Sequence, residues 1–409
     1  MAALRPHPQR RGTPVSQTSI DPRVAEHLAA FRRGTVDLIE EQQLRKLLEK
    51  SFAENRPLRI KFGMDPSSPD LHIGHAIPLM KLRDLQQLGH QIVLIVGDAT
   101  AMVGDPSGRN KLRPQLTREA VEENLVTYTD QAAQVLDMSK TEVRRNSEWF
   151  DQLDFQGLLK LAARMTVAQM IERDTFQTRM KDSEPIGIHE FLYPLMQGWD
   201  SVMIDCDVEL GGTDQLFNLL VGRRLQEQES MRPQVCFTTP LINGLDGRKM
   251  SKSYGNAVAL TDSARDMTFS LMRLDDESMR SWFTLLTRVE ESEIEALLAG
   301  HPREAKARLA AEITTFFHDA DAAREAAEAF DAEVRDKEVP SDLPELAWPS
   351  ADDAMPLANL LKDLGLVASS SEGRRMAQQG AVRLDGEVQT DPMAPISRPG
   401  APLLVQVGK

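Results

Sequence analysis

Cysteine is nearly missing from this 409-residue chain: Cys206 and Cys236 are the two it has. That is too few for a disulfide framework or a four-thiolate zinc site, so each is expected to be a small buried apolar residue. No apolar run approaches the roughly 20 residues that a membrane span requires, which argues against a membrane role. The Arg- and Pro-containing residues 1–17 lead into no apolar stretch, so a secretory signal is not indicated and a cytoplasmic location is expected, with a disordered arm at the start. An excess of positive charge is also lacking. With 48 Lys and Arg against 62 Asp and Glu the net charge is −14, which excludes adhesion to nucleic acid over the whole surface but leaves room for a local basic patch.

Against these absences stands a chain that is 41% hydrophobic and 27% charged, the balance of a soluble globular protein, and long enough for two or three domains. Across residues 58–97 the hydrophobic period changes twice: extended over 58–62, helical with Ile77, Leu82, Leu85 and Leu88 broadly on one face before Gly89, and continuously apolar over 92–96. This predicts a β-α-β unit. Helical segments follow between 118 and 180, then a strand over 202–208, a Gly-Gly turn and a helix over 214–228. Such alternation predicts an α/β fold with a doubly wound, Rossmann-type domain. Residues 264–335, rich in Ala, Glu, Leu and Arg, predict an all-α domain, and the Pro-rich residues 339–356 a linker. Two short helices (357–364 and 371–379) and strands near 381–384 and 403–407 predict a small α+β domain. The boundaries drawn are an N-terminal arm (1–36), a catalytic domain (37–260), a helical domain (261–338), the linker (339–356) and the last domain (357–409).

The chemistry concentrates in a few motifs. His72-Ile73-Gly74-His75 stands where a strand has ended and a helix begins, after a turn opened by Asp65 and Pro66. A helix N-terminus attracts phosphate, Gly74 allows close approach, and two imidazoles add hydrogen-bond donors. The bland alternative is a metal pair or two surface histidines. Lys249-Met250-Ser251-Lys252-Ser253, flanked by Gly247 and Gly255, is a basic loop that can close over a triphosphate and neutralise its developing charge; otherwise it is a solvated loop. On the segment from Tyr193 to Asp200, Tyr193, Gln197 and Asp200 are spaced by four and three, so one helical face carries a phenol, an amide and a carboxylate.

The two phosphate motifs, in this order, resemble the paired signatures of the class I aminoacyl-tRNA synthetases, and the segment with Tyr193, Gln197 and Asp200 looks like the pocket helix of the tyrosyl-tRNA synthetase family. The resemblance spans nearly everything from residue 37 to 409. It implies that ATP is a substrate bound by Asp65, His72, Gly74, His75, Gly212, Asp214, Lys249, Ser251 and Lys252. Of these, His72, His75, Lys249 and Lys252 would stabilise the transition state in which a carboxylate attacks the α-phosphate. Magnesium is expected with ATP and pyrophosphate, with no protein-bound structural metal. Tyr193, Gln197 and Asp105 would hold the ammonium of L-tyrosine, Asp65 would face it or the ATP, Gln215 would serve the carboxylate or phosphate, and Asp200 would accept from the phenol. A buried acceptor left unpaired by phenylalanine gives strong rejection, an effect already known for tyrosyl-tRNA synthetases. The chain departs from many family members at Lys61, where they carry a first-strand tyrosine that bonds the phenol. Tryptophan is the nearest competing substrate; a small-molecule adenylate former or a non-aminoacylating RNA-binding relative are the others. The cluster Arg374, Arg375 and Arg383 resembles the S-four RNA-binding module, which implies phosphate contacts to RNA. By the same resemblance the partners are tRNA(Tyr) and a second copy of the chain, with the homodimer interface expected near residues 118–135.

Overall fold

A computed structural model describes residues 21–66, 71–107, 117–250, 254–335 and 343–408. The described residues before and after the gap at 336–342 fall in separate compact units. The first is built on a six-stranded sheet of β1 (Leu38–Ile39), β2 (Arg59–Met64), β3 (Gln91–Val96), β4 (Thr141–Arg145), β5 (Val208–Gly212) and β6 (Val235–Thr239). Their order is β1-β6-β5-β2-β3-β4; β1 runs antiparallel to β6 and the other pairs are parallel. The β-α-β unit is present, with its helix at Ile73–Gln87.

Side chains alternate across the sheet as the pleat demands. Ile60, Ile92, Leu94, Val208, Leu210, Val235 and Phe237 point to one face, where they form the main core with the helices Pro22–Arg32, Glu41–Glu54 and Ile73–Gln87. The first of these helices lies within the stretch drawn as an arm. Asp21 caps it by accepting from the Arg23 amide at 2.9 Å, and Val24, Leu28 and Phe31 enter the core. Lys81 closes its other end: the buried ammonium bonds the carbonyls of Ala30 at 2.6 Å, Phe31 at 3.2 Å and Arg33. Met267, Leu271, Trp282, Phe283, Leu309 and Ile313, from the helical stretch, join the same core. The opposite face carries Val93 and Ile95, which pack on Trp149, Ile204 and Cys206, and beside them the charged pair Lys61 and Glu209.

Two local expectations need correcting. The apolar run 202–208 is not a strand: Val202 and Met203 complete the helix Leu192–Met203, and β5 starts only at Val208. A short apolar run reads the same at the end of a buried helix and in a strand. Within 118–180 the strand β4 interrupts the helices; its sequence Thr-Glu-Val-Arg-Arg has the polar character of a sheet edge and little apolar alternation to reveal it.

The second unit packs the helices Leu357–Asp363 and Ser370–Gln378 over two small antiparallel sheets, with Leu357, Leu361, Val367, Ala377, Val382 and Leu384 as its core. Gly373 permits the close helix contact, since a β-carbon there would lie 3.0 Å from the Ala358 carbonyl oxygen. Asp385 and Gly386, both at positive φ, turn the hairpin between Val382–Leu384 and Glu387–Val388.

Candidate active site

The cleft is assembled at the carboxyl ends of the parallel strands, where open α/β sheets place their ligands. β2 ends at Met64 and delivers Asp65. Tyr193, from the helix Leu192–Met203, donates its hydroxyl to Asp65 Oδ2 at 2.7 Å, and Thr100 donates to Asp65 Oδ1 at 2.8 Å. Burial pushes the Asp65 carboxyl up to about 7 against these two hydrogen bonds, with the charges of Asp105 and Asp98 adding to the rise. Gly97, at the end of β3, is required here. A β-carbon on it would stand 2.0 Å from Asp65 Oδ1 and 2.2 Å from Thr100 Oγ1.

Asp105 forms a second cluster. Its carboxylate accepts from the Ser107 amide at 2.8 Å and from Gln215 Nε2 at 2.7 Å, and pairs with Arg173 at 3.4 Å. Gln215 Oε1 accepts from Asn218 Nδ2 at 2.8 Å, and the same Asn218 nitrogen donates to Gln197 Oε1 at 2.9 Å. Asp214 shares the turn with Gln215, and a β-carbon on Gly212 would meet Asp214 Oδ1 at 2.6 Å.

Asp200, two turns beyond Tyr193, is buried. It accepts from the Trp149 indole at 3.0 Å and from Asn146 Nδ2 at 3.5 Å. Burial raises its carboxyl to about 7, opposed first by the charge of Lys61 and then by those two donors. Asn146 Nδ2 also donates to Thr100 Oγ1 at 3.1 Å, so a chain of hydrogen bonds links Asp200 through Asn146 and Thr100 to Asp65. The two carboxyl groups are thereby oriented by one network.

At the other side of the cleft His72 precedes the helix Ile73–Gln87, and its backbone N–H donates to His75 Nδ1 at 3.1 Å. The two rings lie 3.9 Å apart between centroids. The basic loop enters at the same place: a β-carbon on Gly74 would lie 3.5 Å from the buried Met250 Sδ, and the exposed Lys249 precedes it. Ser251 and Lys252 lie outside the described residues. In the second unit Arg374, Arg375 and Arg383 are all exposed, with Arg375 3.5 Å from Glu372 and Arg383 Nη1 donating to the Gly386 carbonyl at 3.1 Å.

Residues 53–334 match the family of class I tRNA synthetases for tryptophan and tyrosine, and residues 355–400 match the S4 domain. The chain is 45% identical to the tyrosine-tRNA ligase of Geobacter sulfurreducens over 94% of its own length and 97% of the relative's. With the tyrosine-tRNA ligase of Symbiobacterium thermophilum the identity is 49% over 92% and 94%. The chain belongs to the tyrosine-tRNA ligase family. Among solved structures, a C-terminally truncated mitochondrial tyrosyl-tRNA synthetase from Aspergillus nidulans superposes with a TM-score of 0.60 at 26% identity, covering 75% of this chain and 92% of that one. The fold is shared with the tyrosyl-tRNA synthetase of Archaeoglobus fulgidus, at a TM-score of 0.59, 22% identity and coverage of 74% and 99%.

Several residues of this family member's cleft escaped the sequence reading: Thr100, Asn146, Trp149, Arg173, Glu209 and Asn218. One signal was available. Lys61 and Glu209 are charged residues flanked by apolar ones in their strands, and the parallel register of β2 and β5 makes them direct neighbours. The others act through contacts distant in sequence, which no local pattern announces.

Proposed function

We propose that this chain activates L-tyrosine with ATP to tyrosyl-adenylate and pyrophosphate, and then transfers the tyrosyl group to the terminal ribose hydroxyl of tRNA(Tyr). The observation that carries the reading is the single pocket face on which Tyr193, Gln197 and Asp200 stand, with Asp65 and Asp105 converging on it. Asp200, already oriented by Trp149 and Asn146, accepts a further hydrogen bond from the substrate phenol and rejects phenylalanine, which offers no donor to that remaining lone pair. Asp65, Asp105, Tyr193 and Gln197 surround the ammonium, and Gln215 serves the carboxylate. The carboxylate oxygen attacks the α-phosphorus, the bond to the β-phosphate oxygen breaks, and pyrophosphate leaves. His72, His75, Lys249 and Lys252 stabilise the charge on the phosphate oxygens, with Gly74 allowing close approach, Gly212 and Asp214 receiving the ribose and Ser251 adding a hydroxyl. Magnesium belongs to the substrate, as the metal of the ATP and pyrophosphate complexes. The exposed Arg374, Arg375 and Arg383 hold RNA phosphates.

The working form is a homodimer in the cytosol. Phe155, Leu159, Val167 and Ile188 are 74%, 53%, 64% and 84% exposed, and large apolar groups so concentrated along one stretch of chain favour burial against a second copy. This supports residues 155–188 as part of the interface, and Leu159→Glu would then yield monomers in sedimentation. The reaction itself is tested by amino-acid-dependent exchange of labelled pyrophosphate into ATP without RNA. Exchange with tyrosine and not with tryptophan or phenylalanine is expected; exchange with tryptophan would overturn the role of Asp200.

A further inference from the structure

Lys61 holds the place at which many family members carry a phenol-binding tyrosine, yet its ammonium is fully engaged elsewhere. Its Nζ bonds the Gln197 carbonyl at 2.6 Å, Ser201 Oγ at 2.8 Å and Glu209 Oε1 at 2.9 Å. Three donors meet three acceptors, which leaves no proton for a substrate phenol. Lys61 and Glu209 are 0% and 1% exposed at their side chains. Burial pulls the lysine pKa down; the charge of Glu209, then that of Asp200, outweighs it and holds the ammonium above its ordinary pKa. A buried ion pair of this kind contributes little net stability, so its placement asks for another reason.

The reason lies in what Glu209 touches next. A carboxylate only accepts, so Gln197 must turn its amide nitrogen toward Glu209 Oε1, at 3.3 Å, and its oxygen away. At the far end Asp105 imposes the same order on Gln215, whose nitrogen faces that carboxylate at 2.7 Å. Asn218 is caught between two amide oxygens and donates to both, at 2.9 Å and 2.8 Å. Its own Oδ1 is buried without a hydrogen-bond partner among the described residues. Carboxylates at both ends thus dictate the orientation of three amides that could otherwise flip.

We propose that Lys61 and Glu209 are positioning residues for the amino-acid head group: the ion pair locks the Gln197 amide so that its oxygen, and not its nitrogen, is the atom available to the substrate ammonium. This deepens the reading of the pocket as a tyrosine site and rests on it. Lys61 makes no hydrogen bond to Asp200, and the help it gives the phenol end is the charge that opposes the rise of the Asp200 carboxyl.

The test uses the full chain and two competitive inhibitors of tyrosine-dependent pyrophosphate exchange. Tyramine keeps the ammonium; 3-(4-hydroxyphenyl)propionate lacks it and keeps the phenol and carboxylate. In Glu209→Gln the neighbour can donate as well as accept, so the Gln197 amide is free to turn. The inhibition constant of tyramine and the KM for tyrosine should each rise about tenfold, with kcat changed less than about threefold. The inhibition constant of 3-(4-hydroxyphenyl)propionate should stay within about twofold. The double variant Lys61→Met with Glu209→Gln removes both charges and guards against misfolding caused by one unpaired buried lysine; because Asp200 then loses the charge that opposes its rise, both inhibitors are compared at a pH about two units above 7, where the same selective loss is expected. Unchanged tyramine inhibition, equal weakening of both inhibitors, or a loss confined to the propionate would each overturn the proposal. Wild-type protein inert toward tyrosine would overturn the functional reading beneath it, a result visible before any variant is made.

Discussion

On one face of the central sheet Ile60, Leu94, Leu210 and Phe237 belong to the apolar core, while one residue along, on the other face, Lys61 and Glu209 open into a hydrogen-bond network that runs through Gln197, Asn218 and Gln215 to Asp105, with the Lys61 charge felt at Asp200. The pleat alone separates the two environments, so the same strands serve stability on one side and recognition on the other. Apolar packing is tolerant of shape and indifferent to direction, whereas every polar group on the recognition face has a donor or acceptor sense that must match its neighbour. Substitutions on the first face should therefore cost folding energy without changing substrate choice, and those on the second the reverse.

The strongest way to break that division is Phe237→Ala. The ring is fully buried and meets Phe31 edge-on at 5.4 Å, so its loss should destabilise the first unit by about 3–5 kcal/mol in chemical denaturation. Its preference for tyrosine over phenylalanine should not move; a change would mean that the two faces are coupled. Next in size, Asp200→Asn removes a charged acceptor worth about 3 kcal/mol, so that preference should fall roughly 100-fold with little change in the denaturation midpoint. At the phosphate end, His75→Ala should lower kcat for adenylate formation by about 100-fold while leaving the affinity for tyrosine intact, measured by pre-steady-state fluorescence or rapid quench. Equal losses in binding and rate would contradict a role confined to the transition state.

Acidity provides a smaller and graded test. Asp65 and Asp200 both sit at about 7 in the folded chain, and both are needed as carboxylates. The affinity for tyrosine should then fall as pH drops below about 7, by about tenfold per unit for each proton taken up. The stability linkage runs the other way. Their folded values lie above the unfolded one near 4, so between about 4 and 7 the folded state binds more protons, and these two groups add stability that is lost as pH rises through 7. His90 opposes them: burial holds its imidazole down at about 3, so its contribution is lost as pH falls from about 6.5 toward 3. A pH titration of Asp200→Asn should show a weaker acid-side loss of tyrosine affinity than wild type. The smallest effect on adenylate formation is expected from removing residues 338–409, the second compact unit: pyrophosphate exchange should stay within about twofold while charging of tRNA falls steeply. Unchanged charging would remove the RNA-binding role of Arg374, Arg375 and Arg383.

The sequence by itself determined the family, the order of the main elements and the residues that carry the phosphate and pocket motifs, because each is written in short stretches whose chemistry is local: a strand giving way to His72 and His75, a glycine-flanked run of lysines, a helical face with Tyr193, Gln197 and Asp200. It was silent about β1, β4 and β6 and misplaced the start of β5, since neither an edge strand nor a short apolar run has a pattern of its own. Only the tertiary structure decided how Lys61 is used, that Trp149 and Asn146 orient Asp200, and that Asn218 ties Gln197 to Gln215. Those assignments depend on the parallel register that sets Lys61 beside Glu209 and on hydrogen-bond directions between residues far apart in the chain. Donor and acceptor sense is a property of the assembled network, and no single residue carries it alone.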